Sequence, residues 1–173
     1  YDLTTGCGTA GIGQLCSVAD ASGTTTYEYN DLGHLTEVNE ARTSGPTLTT
    51  GYTYDLAGNV LTITLPSGRV VTYSRNANGL VSGVSGIVNA GSVQFASSVT
   101  YAPFGPVTGM AYGNSLTFSA TYDQDYNPTN RTVSTIYNNT YDTDDQGNIT
   151  KTGSTTYGYD ALNRLNKEKP GSA

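Results

Sequence analysis

The chain has no tryptophan, one methionine, one histidine and two cysteines among 173 residues. A lone imidazole and the pair Cys7/Cys16, nine residues apart, match no zinc-ligand spacing. Charge is scarce as well: 13% of residues are charged, about half the usual share, with 8 basic against 14 acidic and a net charge of −6. That balance leaves no basic patch to attract a phosphate backbone, and no nucleic-acid module is visible. No apolar run approaches the ~20 residues that a membrane-spanning helix needs. No serine lies in a Gly-x-Ser-x-Gly elbow, and no glycine-rich turn leads into a helix that would cradle a phosphate. No signal peptide opens the chain, because Tyr1-Asp2-Leu3 already shares the idiom of the rest, which predicts a segment of a longer protein.

What is abundant is glycine (21) and tyrosine (14), in a background of threonine and serine. That mixture favours strands joined by tight turns. The residues are also ordered. Tyr27-Glu28-Tyr29-Asn30-Asp31-Leu32-Gly33-His34-Leu35 returns as Tyr52-Thr53-Tyr54-Asp55-Leu56-Ala57-Gly58-Asn59-Val60 and as Tyr157-Gly158-Tyr159-Asp160-Ala161-Leu162-Asn163-Arg164-Leu165. Turn positions fall near Gly13, Gly33, Gly58, Gly79, Gly105, Tyr126, Gly147 and Asn163, and from Gly33 onward they are 25, 21, 26, 21, 21 and 16 residues apart. A period of this size means repeated architecture before it means chemistry.

Each unit has a physical reading. Tyr-x-Tyr alternates, so both rings share one face of a strand. The Asp or Asn that follows can bond backbone two residues on and open a turn. The glycine accepts a positive φ, and Leu or Val with Thr or Ser carries the returning strand. In the degenerate copies, Arg75 follows Tyr73 before Gly79, and Thr143 follows Tyr141 before Gly147. The copy from Tyr101 through Phe104 and Gly105 reads as a shortened, proline-stiffened turn. After Tyr122-Asp123 the glycine is lost to Tyr126, so Asn127-Pro128 is expected to turn instead. Second turns are expected at Ser67-Gly68, Asn89-Ala90-Gly91, Gly113-Asn114, Asn138-Asn139 and Gly153-Ser154. The sum is a single all-β array over residues 1–173: about a dozen short antiparallel strands, almost no helix, a longer loop over 41–50, poorly specified strands and a loop over 83–98 and a fraying tail over 167–173.

These residues resemble YD repeats. Tyr-x-Tyr-Asp-x-x-Gly-x-Leu is their signature, and the chain looks like part of an Rhs/YD-repeat protein over essentially residues 1–166. That group includes bacterial rearrangement-hotspot polymorphic toxins, the C component of insecticidal toxin complexes, wall-associated antigens and the teneurins. The resemblance implies a β-strand ribbon spiralling into a hollow shell or curved sheet, non-catalytic and free of cofactors. It implies an exported, secreted or cell-surface setting and, as partners, further YD repeats of the same or neighbouring chains and an enclosed toxin polypeptide. The family's self-cleaving end carries an Asp-Pro-x-Gly stretch that is missing here, so no cleaving aspartates are assigned.

The candidate site residues are therefore structural: Tyr27, Tyr29, Gly33, Tyr52, Tyr54, Asp55, Gly58, Tyr73, Gly79, Tyr101, Gly105, Tyr122, Asp123, Tyr141, Gly147, Tyr157, Tyr159, Asp160 and Asn163. Asp31, Asp55, Asp123 and Asp160 read as turn caps rather than acid–base pairs. Asp142, Asp144 and Asp145 resemble a calcium loop only in part, since Gln146 and Gly153 stand where further ligands belong. His34, after a turn glycine, reads as exposed. Cys7 and Cys16 flank a glycine-rich stretch and read either as a disulfide, which fits an oxidising setting, or as small apolar residues. Tyrosine stripes also suit a cell-surface glycan, the alternative to enclosure. Open strand edges recruit other strands. The segment is thus expected either to belong to a larger shell or to join copies edge to edge into a tube or fibre.

Overall fold

In a computed structural model, residues 7, 9–88, 91–103 and 105–171 are described. The opening Tyr1-Asp2-Leu3, the expected turn at Asn89-Ala90, Phe104 and the last two residues of the tail lie outside the described residues. The contacts divide the chain into two units, Tyr1–Gln94 and Phe95–Ala173.

The first unit opens with a single 3-10 turn, Thr9–Gly11, followed by strands β1 (Ser17–Asp20), β2 (Gly23–Tyr29), β3 (Leu35–Arg42), β4 (Leu48–Tyr54), β5 (Val60–Thr64), β6 (Val70–Arg75) and β7 (Val81–Val88). Strand β8 (Gly91–Tyr101) runs through the boundary at residue 94. The second unit continues with β9 (Val107–Tyr112), β10 (Thr117–Tyr122), β11 (Pro128–Val133), β12 (Tyr137–Thr143), β13 (Ile149–Thr152), β14 (Thr155–Tyr159) and β15 (Leu165–Lys169). Strand order in the sheet is chain order, and every described pairing is antiparallel. This is the all-β hairpin ribbon that the repeats predict, with fifteen strands rather than a dozen.

The extra strands come from segments where alternation is weak. The expected loop over 41–50 is confined to residues 43–47, because Thr24↔Ala41 and Glu40↔Leu48 keep the ladders paired on both sides. The stretch over 83–98 is largely strand: Tyr73↔Val84 and Ser74↔Gly83 pair it with β6. The tail is ordered as far as β15, where Tyr157↔Glu168 and Thr156↔Lys169 hold it to β14. Asn138-Asn139 lies inside β12; the turn before it centres on Ser134 (φ 43°), with the Ile136 N–H on the Val133 carbonyl. Period-2 patterning marks a half-buried strand. It is faint wherever glycine and serine supply no apolar side to read.

Among the described residues no large side chain is fully buried, and the buried hydrophobic residues are Cys7, Cys16 and Ala120. Within each unit, among the described residues, the strands touch their neighbours in chain order and no second layer packs over them. Such a sheet depends on its ladders, its cross-strand side-chain pairs and its turns rather than on a thick core. One covalent link adds to this: Cys7 and Cys16 form a disulfide with Cα atoms 5.4 Å apart, closing the loop before β1. Short loops of this size remove about 2–3 kcal/mol of unfolded-state freedom. Reduction, or paired Cys7→Ser and Cys16→Ser substitution, is therefore expected to lower the denaturation midpoint, read by β-sheet circular dichroism against denaturant. An unchanged midpoint would mean the bond restrains nothing.

Candidate functional site

Tyrosines, caps and turn glycines build one device, repeated along one edge of each unit. Asn30, Asp55, Asn76, Asp123, Asp144 and Asp160 open it. In each case the opener's N–H donates to the carbonyl four residues on, and the N–H three residues on returns to the opener's carbonyl, at 2.8–3.2 Å. The opener's Oδ1 meanwhile accepts the N–H groups two and four residues on. For Asp55 these are Ala57 and Asn59, both at 2.9 Å; for Asn30 they are Leu32 and His34, both at 3.0 Å. The same pair is made by Asn76, Asp123, Asp144 and Asp160. Four bonds thus fix a type I turn closed by a residue with positive φ and a bulge. That closing residue is Gly33, Gly58, Gly79 or Gly147 at 77–80°, Tyr126 at 63° or Asn163 at 58°.

Three expectations are corrected here. The first cap is Asn30, not Asp31, since the capping oxygen must sit at the opener and Asp31 lies one residue inside the loop. Tyr126 itself closes its turn in the left-handed region, so Pro128 is free to begin β11. The turn after Tyr101 is not shortened. Ala102 N–H still reaches the Pro106 carbonyl and Gly105 N–H the Ala102 carbonyl, without a side-chain cap.

The strands entering these turns repeat one register. Tyr27, Tyr52 and Tyr73 face Val38, Ile63 and Val84; Tyr141 and Tyr157 face Thr152 and Glu168. All five rings are half-buried. Aromatic against β-branched pairs contribute about 0.2–1 kcal/mol each. The residue just before each opener does something else. Tyr29, Tyr54, Tyr122 and Tyr159 donate their hydroxyls to the carbonyls of Leu15, Leu35, Val107 and Ile149 at 2.9, 2.6, 3.0 and 2.8 Å. Each acceptor starts the strand that leaves the previous turn or, for Leu15, follows the Gly13 turn. Arg75 takes the place of tyrosine in both position and task. It donates from Nη2 to the Val60 carbonyl at 3.1 Å and from Nη1 to the Gly79 carbonyl at 3.1 Å, with Nε 3.7 Å from Asp55. Tyr101 enters its turn at the same place, with Tyr101↔Val107 as the last pair; Thr143, before Asp144, has no ring to offer.

Successive turns also touch through the residue that follows each closing position. A Cβ at Gly33 would meet Gln14 Nε2 at 3.5 Å, one at Gly58 would meet His34 Cε1 at 3.1 Å, and one at Gly147 would meet Asn127 Oδ1 at 3.4 Å. Asn148 donates to Asn163 Oδ1 at 3.1 Å. The Tyr126 ring occupies the place of a Cβ at Gly105, with its hydroxyl on the Pro103 carbonyl. His34 is consequently half-buried and tilted against Tyr54 with ring centroids 4.7 Å apart, rather than exposed. The carbonyl bonds of the tyrosines and these turn-to-turn contacts escape a reading based on φ and alternation alone. Their one signal is that a polar residue (Gln14, His34, Asn59, Asn127, Asn148) regularly follows the closing position.

Electrostatically, the caps are settled carboxylates. The Asn127 amide side chain and backbone N–H hold Asp123 below the usual range, as Asn148 does for Asp144. The Asn59 N–H does so for Asp55, and the Arg164 N–H and guanidinium for Asp160. Burial pushes the Tyr54 phenol up, which keeps it a donor. Asp142 pairs with Lys151 at 3.7 Å while Asp144 caps, so the acids of the partial calcium loop have separate structural tasks. The arrangement positions backbone. Gly58→Ala is expected to cost about 1–2 kcal/mol from its φ of 80°, with more from crowding His34. His34→Ala in the same chain should recover only that second part in chemical denaturation. Full recovery, or no loss to begin with, would contradict the geometry.

Against known families, an RHS Repeat model matches residues 11–45 and 54–91. No curated protein matches the chain. Among solved structures, one of TcdB2–TccC3 with Cdc42 superposes with a TM-score of 0.77 at 19% identity, covering 89% of this chain and 9% of that one. The Photorhabdus luminescens Tc holotoxin pore gives 0.75, 19%, 89% and 9%, and a TcdB2–TccC3 complex gives 0.75, 19%, 89% and 10%. The chain therefore spans about a tenth of the length of the chains it resembles.

Proposed function

Since this chain is an Rhs/YD-repeat segment, we propose that its structural repeats serve as one continuous stretch of an exported bacterial shell wall that encloses another polypeptide. The observation that carries this reading is the repeated edge device in a sheet without a core. The tyrosines before the openers, the caps and the closing residues hold strand to strand, and the unit can be extended by adding strands of the same kind. Five tyrosine hydroxyls, of Tyr29, Tyr54, Tyr122, Tyr126 and Tyr159, are already used on backbone carbonyls, which supports wall-building over glycan binding. The likeness to structures of TcdB2–TccC3 assemblies supports the same direction. Its partners are further YD-repeat strands, contributed by the same or a neighbouring chain, and the enclosed polypeptide. No cofactor enters.

Pairing with such strands has a physical motive. β15 is exposed at every residue, and β1 likewise, so both present backbone groups on which another strand can form a ladder. Light scattering over a concentration series is expected to show masses rising above the 18.1 kDa of one chain, and electron microscopy of the associated form to show strands around an internal space. A monodisperse monomer throughout would overturn the edge pairing. A solid stack without a lumen would overturn enclosure.

A further inference from the structure

We propose that the second unit is an acid-opened segment: on acidification its carboxylate-capped turns release while the asparagine-capped turns of the first unit hold. The inference rests on the turn geometry and does not depend on enclosure. In the first unit the side-chain caps of the bulged turns are Asn30, Asp55 and Asn76; in the second they are Asp123, Asp144 and Asp160, the turns opened by Leu65, Ala102 and Tyr112 carrying none at the opener. All six make the same two bonds from Oδ1, and the aspartates also accept a third at Oδ2 from Asn59, Asn127, Asn148 or Arg164. Amide and carboxylate differ in what a proton does. An ionised carboxylate only accepts; protonation removes its charge and turns one oxygen into a donor, which at Oδ2 would face the Asn127, Asn148 and Arg164 donors. An amide oxygen does not change.

The surroundings of each group set the direction. Asp123 and Asp144 line one open cleft with Asp125 and Asp145. Asp144 faces Tyr157, Tyr159 and Asp160 on its other side. Arg164 Nε lies 2.7 Å from Asp160 Oδ2. Lys151 is engaged with Asp142, and Arg131 lies over the Tyr141 ring at 5.8 Å. Repulsion among these four acids would favour protonation, but the cleft is open, so it acts through water and is screened. The Asn127 and Asn148 side-chain amides donate to Oδ2 at 3.0 Å and the backbone N–H groups to Oδ1 at 2.8–3.1 Å; these donors outweigh the repulsion, since both carboxyls remain lowered from 3.8. A lowered folded-state value means that the turns contribute stability above the unfolded value of 3.8 and lose it as pH falls through their own values below it. In the first unit, Asp55 keeps Arg75 at 3.7 Å and stands between two asparagine-capped turns. Asp20, capping Ser22 and Gly23 at the β1–β2 turn, titrates as well.

Amide exchange of the whole chain, followed residue by residue by NMR from neutral pH to below 3.8 and corrected for intrinsic rates, tests this. The N–H groups of Asp125, Asn127, Gln146, Asn148, Leu162 and Arg164 are expected to lose protection while those of Leu32, His34, Asn78 and Leu80 keep it. Combined Asp123→Asn, Asp144→Asn and Asp160→Asn substitution removes the titrating groups and should abolish the pH dependence of protection in the second unit, with neutral protection lowered by the loss of the bonds to Oδ2. The reciprocal Asn30→Asp, Asn76→Asp chain should acquire acid loss in the first unit. Simultaneous release of both groups of turns in the unaltered chain would overturn the proposal. So would a reciprocal chain whose first unit stays protected in acid, a readout that survives if the triple variant does not fold.

Discussion

A sheet one layer thick has little hydrophobic burial to draw on, so its cohesion falls to hydrogen bonds that close where a ladder would otherwise fray. The ladder between β3 and β4 has Glu37↔Gly51 as its last described pair towards the turn edge, and there the Tyr54 hydroxyl takes up the Leu35 carbonyl. A backbone carbonyl left without a partner away from water is expensive. The phenol satisfies it and at the same time ties the strand entering one turn to the strand leaving the turn before. Arg75 performs the task with a guanidinium, so the requirement is for a donor at that reach rather than for an aromatic ring.

The bulged turn fixes everything else. Because each one ends with the same pairing (Tyr29↔Leu35, Tyr54↔Val60, Tyr122↔Pro128, Tyr159↔Leu165), the faces of successive strands stay in phase. A slip of one residue would send every Tyr-x-Tyr pair to the other face. The closing glycine serves twice, once for its positive φ and once for the neighbour's side chain lying on it. That second role explains how Tyr126 can close a turn at a conformational cost: its ring and hydroxyl are held by the turn before, over Gly105 and on Pro103.

The fold class was legible because Tyr-x-Tyr, the cap and the glycine are local signals that the final structure respects. The positions that misled are those where two residues compete for one task. Asn30 and Asp31 can both cap, and only the register decides between them. Asn138-Asn139 has turn composition, but the ladders Thr132↔Asn138 and Arg131↔Asn139 place it in a strand. Residues 83–98 lack alternation, and their pairing, with β6 for Gly83 to Gly86 and with β9 for Ala96 and Ser97, is set by the neighbouring strands. The bonds between turns were the least visible part, because they join residues 10 to 23 positions apart whose types vary. Chemistry that positions backbone leaves a periodic trace in sequence, whereas catalytic chemistry leaves isolated residues; the trace here is periodic throughout.

Most directly at stake is whether the hydroxyls joining one repeat to the next hold the layer together. Successive Tyr→Phe substitution at Tyr29, Tyr54, Tyr122 and Tyr159 keeps each ring and removes only the donor. In chemical denaturation the account predicts a loss of about 0.5–1.5 kcal/mol per hydroxyl, accumulating as the four are removed. A quadruple variant as stable as the unaltered chain would contradict it.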